Sequence, residues 1–127
     1  MSDYYIKIIL LDGCPYGIAA NDLLKTHNIK SIIINVNMLN KNEYKTKLIS
    51  TFPQIYLCKN NSKGSQLLGG YDDLLYVISE FKGKKLTDDK IQQAIKKYNL
   101  SKKAILRFIQ LINLDSQLTN LDSQLIN

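Results

Sequence analysis

Cys14, in the run Gly13-Cys14-Pro15-Tyr16-Gly17, is the residue of this chain best placed for covalent chemistry. A cysteine reacts as its thiolate, and the unpaired amides and positive dipole end of a helix favour that form. Residues Tyr5–Leu11 (YIKIILL) read as a buried strand and Ile18–His27 as a helix, which puts Cys14 on the turn between them. The chemistry such a thiol offers is nucleophilic attack, with a disulfide sulfur as the natural target. The motif closes on Gly17 rather than on a second cysteine, so no neighbouring sulfur stands ready to displace whatever Cys14 captures. Cys58 ends an apolar run and reads as an inert core thiol. Two cysteines and one histidine make neither a disulfide framework nor a zinc set, and no metal is expected. His27, near a helix end, reads as a surface or capping residue.

The elements that must position Cys14 follow from pattern and punctuation. Asn28 stops the first helix, and Ser31–Val36 (SIIINV) is a β-branched run suited to a strand buried on both faces. Asn40–Ser50 is polar and suggests a short helix carrying Lys41, Lys45 and Lys47. Pro53 opens a strand over Gln54–Cys58, a position where proline is tolerated. Asn60–Gly64 is a turn signal, so Ser65–Leu68 returns as its hairpin partner. Gly69-Gly70 breaks that strand. A helix follows with Leu74, Val77, Ile78 and Phe81 on one side and Asp72 and Asp73 in its first turn. This order implies α/β architecture: a four-stranded mixed sheet with helices on both faces.

Beyond Gly83 the pattern is helical only. Thr87 and Ser101 are capping candidates, and Ile91, Ala94, Ile95 and Tyr98 form a one-sided stripe. Leucines 111, 114, 118, 121 and 125 alternate by three and four, and NLDSQL recurs at a seven-residue period. That seam is about two heptads, short of a persuasive coiled coil. It leaves open packing in cis or self-association through the C-terminal helix.

A chain of 127 residues that is 45% hydrophobic fits one compact domain with a real core and an appendage. No apolar run reaches the ~18–20 residues needed to span a membrane, and the N-terminus lacks the features of a secretory signal. A cytoplasmic, reducing location is expected, with no membrane partner. The net charge of +6 is concentrated: Lys82–Arg107 carries +7 and the remainder −1. Charges so spaced read as a solvated helical face. No nucleic-acid motif with interleaved aromatics accompanies them, so nucleic acid is not the expected partner.

Three motifs together resemble the glutaredoxin family: Cys14-Pro15-Tyr16, then Thr51-Phe52-Pro53-Gln54-Ile55-Tyr56, then Gly69-Gly70-Tyr71-Asp72-Asp73-Leu74. The family pattern is CPYC, TVPQIFI and GGYDDL in this order and spacing. The resemblance spans about residues 4–98, implying a glutaredoxin domain over 1–98 and a C-terminal helical extension over 99–127. It implies a thioredoxin-like fold and thiol–disulfide exchange with glutathione as co-substrate. Partners would be glutathionylated proteins or small disulfides. Cys14 would be the catalytic nucleophile, flanked by Pro15, with Tyr16 walling the cleft and Pro53 a cis-proline beside it. Thr51, Phe52, Pro53, Gly70, Tyr71 and Asp72 would bind glutathione. In that scheme the Phe52 backbone pairs with its cysteinyl part, and the Tyr71 and Asp72 amides hold its γ-glutamyl carboxylate. The Asp72 side chain would receive the ammonium, and Lys41, Lys45 or Lys47 the glycyl carboxylate.

Two departures from the family matter. Leu11 stands where the family usually has a lysine, and Gly17 where it has its second active-site cysteine. The resemblance therefore implies a single-cysteine, monothiol route to reduction of glutathione mixed disulfides. Two alternatives stay open. Some single-cysteine relatives hold an iron–sulfur cluster between two chains with two glutathiones, although they carry CGFS where this chain has Cys14-Pro15-Tyr16-Gly17. The other is a non-catalytic interaction module built on the basic helix and leucine-spaced tail.

Overall fold

The structure, a computed structural model, describes residues 3–114. Its elements run β1 (Tyr4–Leu11), α1 (Pro15–Thr26), β2 (Ile32–Val36), a 3-10 turn (Lys41–Tyr44), β3 (Gln54–Lys59), β4 (Ser65–Gly69), α2 (Tyr71–Phe81), α3 (Asp88–Tyr98) and α4 (Lys102–Ile112). The strands order as β2-β1-β3-β4. β1 pairs parallel with β2 and antiparallel with β3, and β3 pairs antiparallel with β4. This is the mixed sheet of the thioredoxin-like α/β fold that the sequence suggests. No described helix is long and apolar enough to cross a membrane.

Local signals explain where elements begin and end. Pro15 occupies the first turn of α1, where its missing N–H costs nothing and its fixed φ suits the helix. The helix therefore starts three residues before the expected Ile18. Asn28 and Asn99 take left-handed backbone after α1 and α3. The Thr87 and Ser101 side chains accept from the backbone N–H groups of Lys90 and Ala104, as their capping role requires.

One continuous core joins Ile6, Ile8 and Leu10 of β1 and Ile55 and Leu57 of β3 to buried side chains of all four α-helices. Those strand residues share one face, because β1 and β3 pair Ile6 with Leu57 and Ile8 with Ile55. The four α-helices gather on that face, and the 3-10 helix lies across the sheet beside Gln54. Across the sheet, Ile9, Val36, Gln54 and Cys58 are buried outside that core. There, Gln54 is fully buried, accepts from the Tyr56 hydroxyl and donates to the Tyr44 carbonyl at 2.9 Å. A single 3-10 turn is thereby fastened where a helix was expected. It carries Lys41 but not Lys45 or Lys47.

The expectation for β2 is also corrected. It lies at the sheet edge, with Ile32 52% and Ile33 42% exposed and only Val36 buried. A β-branched run reports a strand, but its place in the sheet order decides how much of it is covered.

α4 is an integral part of the core. Phe108, Ile109 and Ile112 are almost fully buried with Phe81. The Asn113 side chain donates to the carbonyls of Phe81 and Ile109 and accepts from the Gly83 N–H. These bonds tie the ends of α2 and α4 together. Leu111 is buried and Leu114 packs against the same core, so the first two leucines of the seam turn inward. Leu118, Leu121 and Leu125 lie outside the described residues.

Candidate active site

Cys14 is the N-cap residue of α1, with extended backbone and no capping bond from its side chain. Its N–H donates to the Leu11 carbonyl at 3.1 Å, and its carbonyl accepts from Ile18. The turn is thus closed by backbone alone, which leaves the sulfur for other work. The thiol is partly exposed, and Sγ lies 4.0 Å from the Phe52 carbonyl oxygen. The Phe52–Pro53 peptide is cis. The loop that opens β3 therefore comes directly against the start of α1, 38 residues away in sequence.

From there a cleft of about 620 Å³ runs over Thr51, Phe52 and Pro53 to Gly70, Tyr71 and Asp72, walled by Tyr16, Leu48 and Ile49. The Tyr16 and Tyr71 rings face one another across 6.2 Å between centroids. Tyr16 is 62% exposed; an aromatic ring that open at the edge of a cleft is a surface for a ligand to lie against. The structure brings together the third motif and the first two: eight of the residues singled out by sequence, Cys14, Tyr16, Thr51, Phe52, Pro53, Gly70, Tyr71 and Asp72, line the cleft or contact its wall. Pro15 is exposed at the head of α1 and does not line the cleft.

The far end of the cleft is the N-terminus of α2. Gly70 is its N-cap, and the Asp73 carboxylate accepts the Gly70 N–H at 2.8 Å. Gly69 has a φ of +146°, and a Cβ there would overlap the Asp73 carboxylate. Glycine is required at that position both for its backbone and for its lack of a side chain. The Tyr71 and Asp72 amides open the helix, where backbone N–H groups have no partner within the helix and attract anions. Asp72 itself is exposed.

Gly17 is buried in the first turn of α1. A Cβ built on it would lie 3.9 Å from the Cys14 Cβ and 3.6 Å from the Leu11 carbonyl oxygen, ordinary contact distances. Cys58 pairs with Tyr5 at the opposite end of β1 from Leu11. Six residues of strand at ~3.3 Å each put about 20 Å between those ends, so Cys58 is out of reach of Cys14. Its neighbours are tyrosines. Charge on Cys58, then burial, raises the Tyr5 hydroxyl pKa, and burial followed by that same charge raises that of Tyr56.

Sequence reasoning missed Leu48, Ile49, Leu67 and Leu68 as cleft residues, and no local signal marks them. Asp73 was legible as a first-turn acid; its position three residues after Gly70 is the capping-box spacing. Lys41, Lys45 and Lys47 line no part of the cleft. The loop between the 3-10 turn and β3 presents Leu48 and Ile49 to it instead.

The glutaredoxin family model matches residues 3–60, the stretch that holds Cys14, Phe52 and Pro53. Glutaredoxins are thiol–disulfide oxidoreductases. No curated protein matches the chain.

Proposed function

We propose, from the glutaredoxin match over residues 3–60, that this chain is a glutathione-dependent oxidoreductase that reduces glutathione mixed disulfides by a monothiol route. One observation carries the monothiol reading. The helix position whose Cβ would lie 3.9 Å from that of Cys14 is occupied by Gly17, and Cys58 sits at the other end of β1. Whatever disulfide Cys14 forms must be resolved by a thiol from outside the chain.

The steps follow. The Cys14 thiolate attacks the glutathionyl sulfur of a glutathionylated substrate, and the substrate thiolate leaves and takes up a proton. Cys14 is then disulfide-bonded to glutathione. The thiolate of a second glutathione attacks the glutathionyl sulfur, oxidised glutathione departs and the Cys14 thiolate returns. One free glutathione is consumed per substrate thiol released, and the oxidised glutathione that departs joins that molecule to the glutathionyl group taken from the substrate.

The cleft suits a tripeptide held along one wall. The Phe52 backbone pairs with the cysteinyl unit in strand fashion. The Tyr71 and Asp72 amides hold the γ-glutamyl carboxylate at the head of α2, and the Asp72 side chain receives the ammonium. Tyr16 and Tyr71 close over the sulfurs. The protein partners of this reading are glutathionylated proteins, met at the exposed mouth beside Cys14, Pro15 and Tyr16.

A glutathione-coupled assay on a small mixed disulfide tests the reading. Wild type and Cys58→Ser should turn over alike, and Cys14→Ser should be inactive. Turnover that survives in Cys14→Ser, or is lost in Cys58→Ser with the fold intact, would refute the proposal.

A further inference from the structure

The cleft does not stop at the head of α2. A second cavity of about 720 Å³ adjoins it and shares Leu48, Leu67, Leu68 and Asp73 with it. One side of this cavity is β4, from Ser65 to Leu68, and the other is the corner between α3 and α4, from Lys97 to Ser101. β4 is the last strand of the sheet and pairs with β3 alone among the described strands. Its outer edge offers backbone N–H and C=O groups, in strand spacing, that no described residue takes up. Such an edge pairs readily with another extended chain. Gly69, at one end of β4, lines the cleft. From there to Ser65 the strand covers about 14 Å at ~3.4 Å per residue, so a segment laid on it leads directly away from the proposed glutathione site.

The corner is strongly basic. Lys96 and Lys97 close α3, Lys102 and Lys103 open α4, and all four are exposed. Among the described residues none of the four is paired with a carboxylate. The Lys97 ammonium lies instead over the Tyr76 and Tyr98 rings, 5.1 and 5.7 Å from their centroids, and lines the cavity. Asp88 and Asp89 sit in the opposite, first turn of α3, about 10 Å of helix from Lys96. Asp73, the acid that does line the cavity, accepts the Gly70 N–H. Lys102 and Lys103 stand at the positive end of α4, with no acid in its first turn. A helix dipole disfavours cations there, so helix stability does not account for their placement.

We propose that β4 and the α3–α4 corner form a docking groove for an extended, acidic segment of the glutathionylated protein. The backbone of that segment adds to the β4 edge, its carboxylates meet Lys96, Lys97, Lys102 and Lys103, and its apolar side chains rest on Leu67 and Leu100. This rests on the reading of the cleft as the place where glutathione mixed disulfides react. The β4 edge favours a polypeptide over a nucleic acid: its alternating donors and acceptors match a peptide backbone, whereas a phosphate chain brings acceptors only.

The probes are two peptides carrying a cysteine–glutathione disulfide. One has glutamates about four to eight residues from that cysteine, the reach that the length of β4 sets, and the other has glutamines there. In a glutathione-coupled assay at low ionic strength the acidic peptide should show a kcat/KM about 5–20-fold higher, the scale of several exposed ion pairs. The advantage should fade by about 0.5 M salt. Combining Lys96→Gln, Lys102→Gln and Lys103→Gln should abolish the preference and leave turnover of a small glutathione mixed disulfide as in wild type. Of the two alternate sets of nitrogens in the acidic peptide, methylating one should lower kcat/KM about 3–10-fold and methylating the other should not. The proposal is overturned if wild type treats the two peptides alike, if the preference survives in the triple variant, or if methylating neither set matters. It is equally overturned if a single-stranded oligonucleotide of the same charge binds more tightly than the acidic peptide. Fluorescence anisotropy with the same peptides carrying serine for cysteine separates the two readings. If wild type turns over no mixed disulfide, the earlier reading falls, and the anisotropy still decides whether the groove takes acidic chains.

Discussion

Gly17→Cys should turn this one-sulfur site into a two-sulfur site, and the geometry says how well. The Cβ it adds would lie 3.9 Å from the Cys14 Cβ, inside the ~3.5–4.5 Å range of disulfides. The other neighbours of this Cβ are the Leu11 carbonyl oxygen at 3.6 Å and the Leu10 Cδ2 at 3.8 Å, both ordinary contact distances. A thiol held there competes with millimolar glutathione for the disulfide on Cys14. Even an effective molarity of about 1 M, far below the ~10⁵ M of rigid pairs, exceeds that by about a thousandfold. This is about 4 kcal/mol in the resolving step. The assay is a single turnover: reduced protein is mixed with a disulfide-bonded protein substrate without glutathione, and released substrate thiols are counted. Wild type should stall as a mixed disulfide. The variant should release fully reduced substrate and retain one titratable thiol, that of Cys58. The reasoning is refuted if the folded variant keeps all three thiols after equilibration with excess oxidised glutathione. It is refuted as well if wild type completes the turnover unaided.

Three further substitutions probe the frame around the site. Gly69→Ala forces a side chain into a φ of +146° and onto the Asp73 carboxylate; a loss of about 2–3 kcal/mol in denaturant unfolding is expected, along with loss of glutathione binding. Phe108→Ala removes a ring from α4 that is 2% exposed, and should cost about 3–5 kcal/mol in the same measurement. Gln54→Leu deletes the bond that joins β3 to the Tyr44 carbonyl and the one that Gln54 accepts from the Tyr56 hydroxyl within β3. It should lower stability by about 1–3 kcal/mol and raise the KM for the mixed disulfide more than it lowers kcat, since Leu48 and Ile49 lose their anchor.

Much of this was legible in the sequence because its causes are local. A cysteine on the turn between a strand and a helix, a Thr and a Ser at N-cap positions, and Leu74, Val77, Ile78 and Phe81 on one side of α2 each act within a few residues. Their outcomes follow from helix geometry alone. The convergence of Cys14, Phe52, Pro53 and Tyr71 was legible only through the family resemblance, since nothing local places residue 52 beside residue 14. The exposure of β2 was not legible, because strand order is a long-range outcome that an apolar run does not encode.

The groove wall made by Leu48 and Ile49 belongs to no helix or strand. A small Thr46 turn shapes it, in which the Thr46 hydroxyl oxygen accepts from both residues' N–H groups, and Gln54 moors the preceding segment. Cys14, by contrast, is set between β1 and α1, and the Tyr71 and Asp72 amides open α2. In the proposed function, selectivity and reactivity are therefore housed in separate parts of the architecture. Residues 45–51 thus shape one wall of the cleft without touching the β1–α1 turn that carries Cys14.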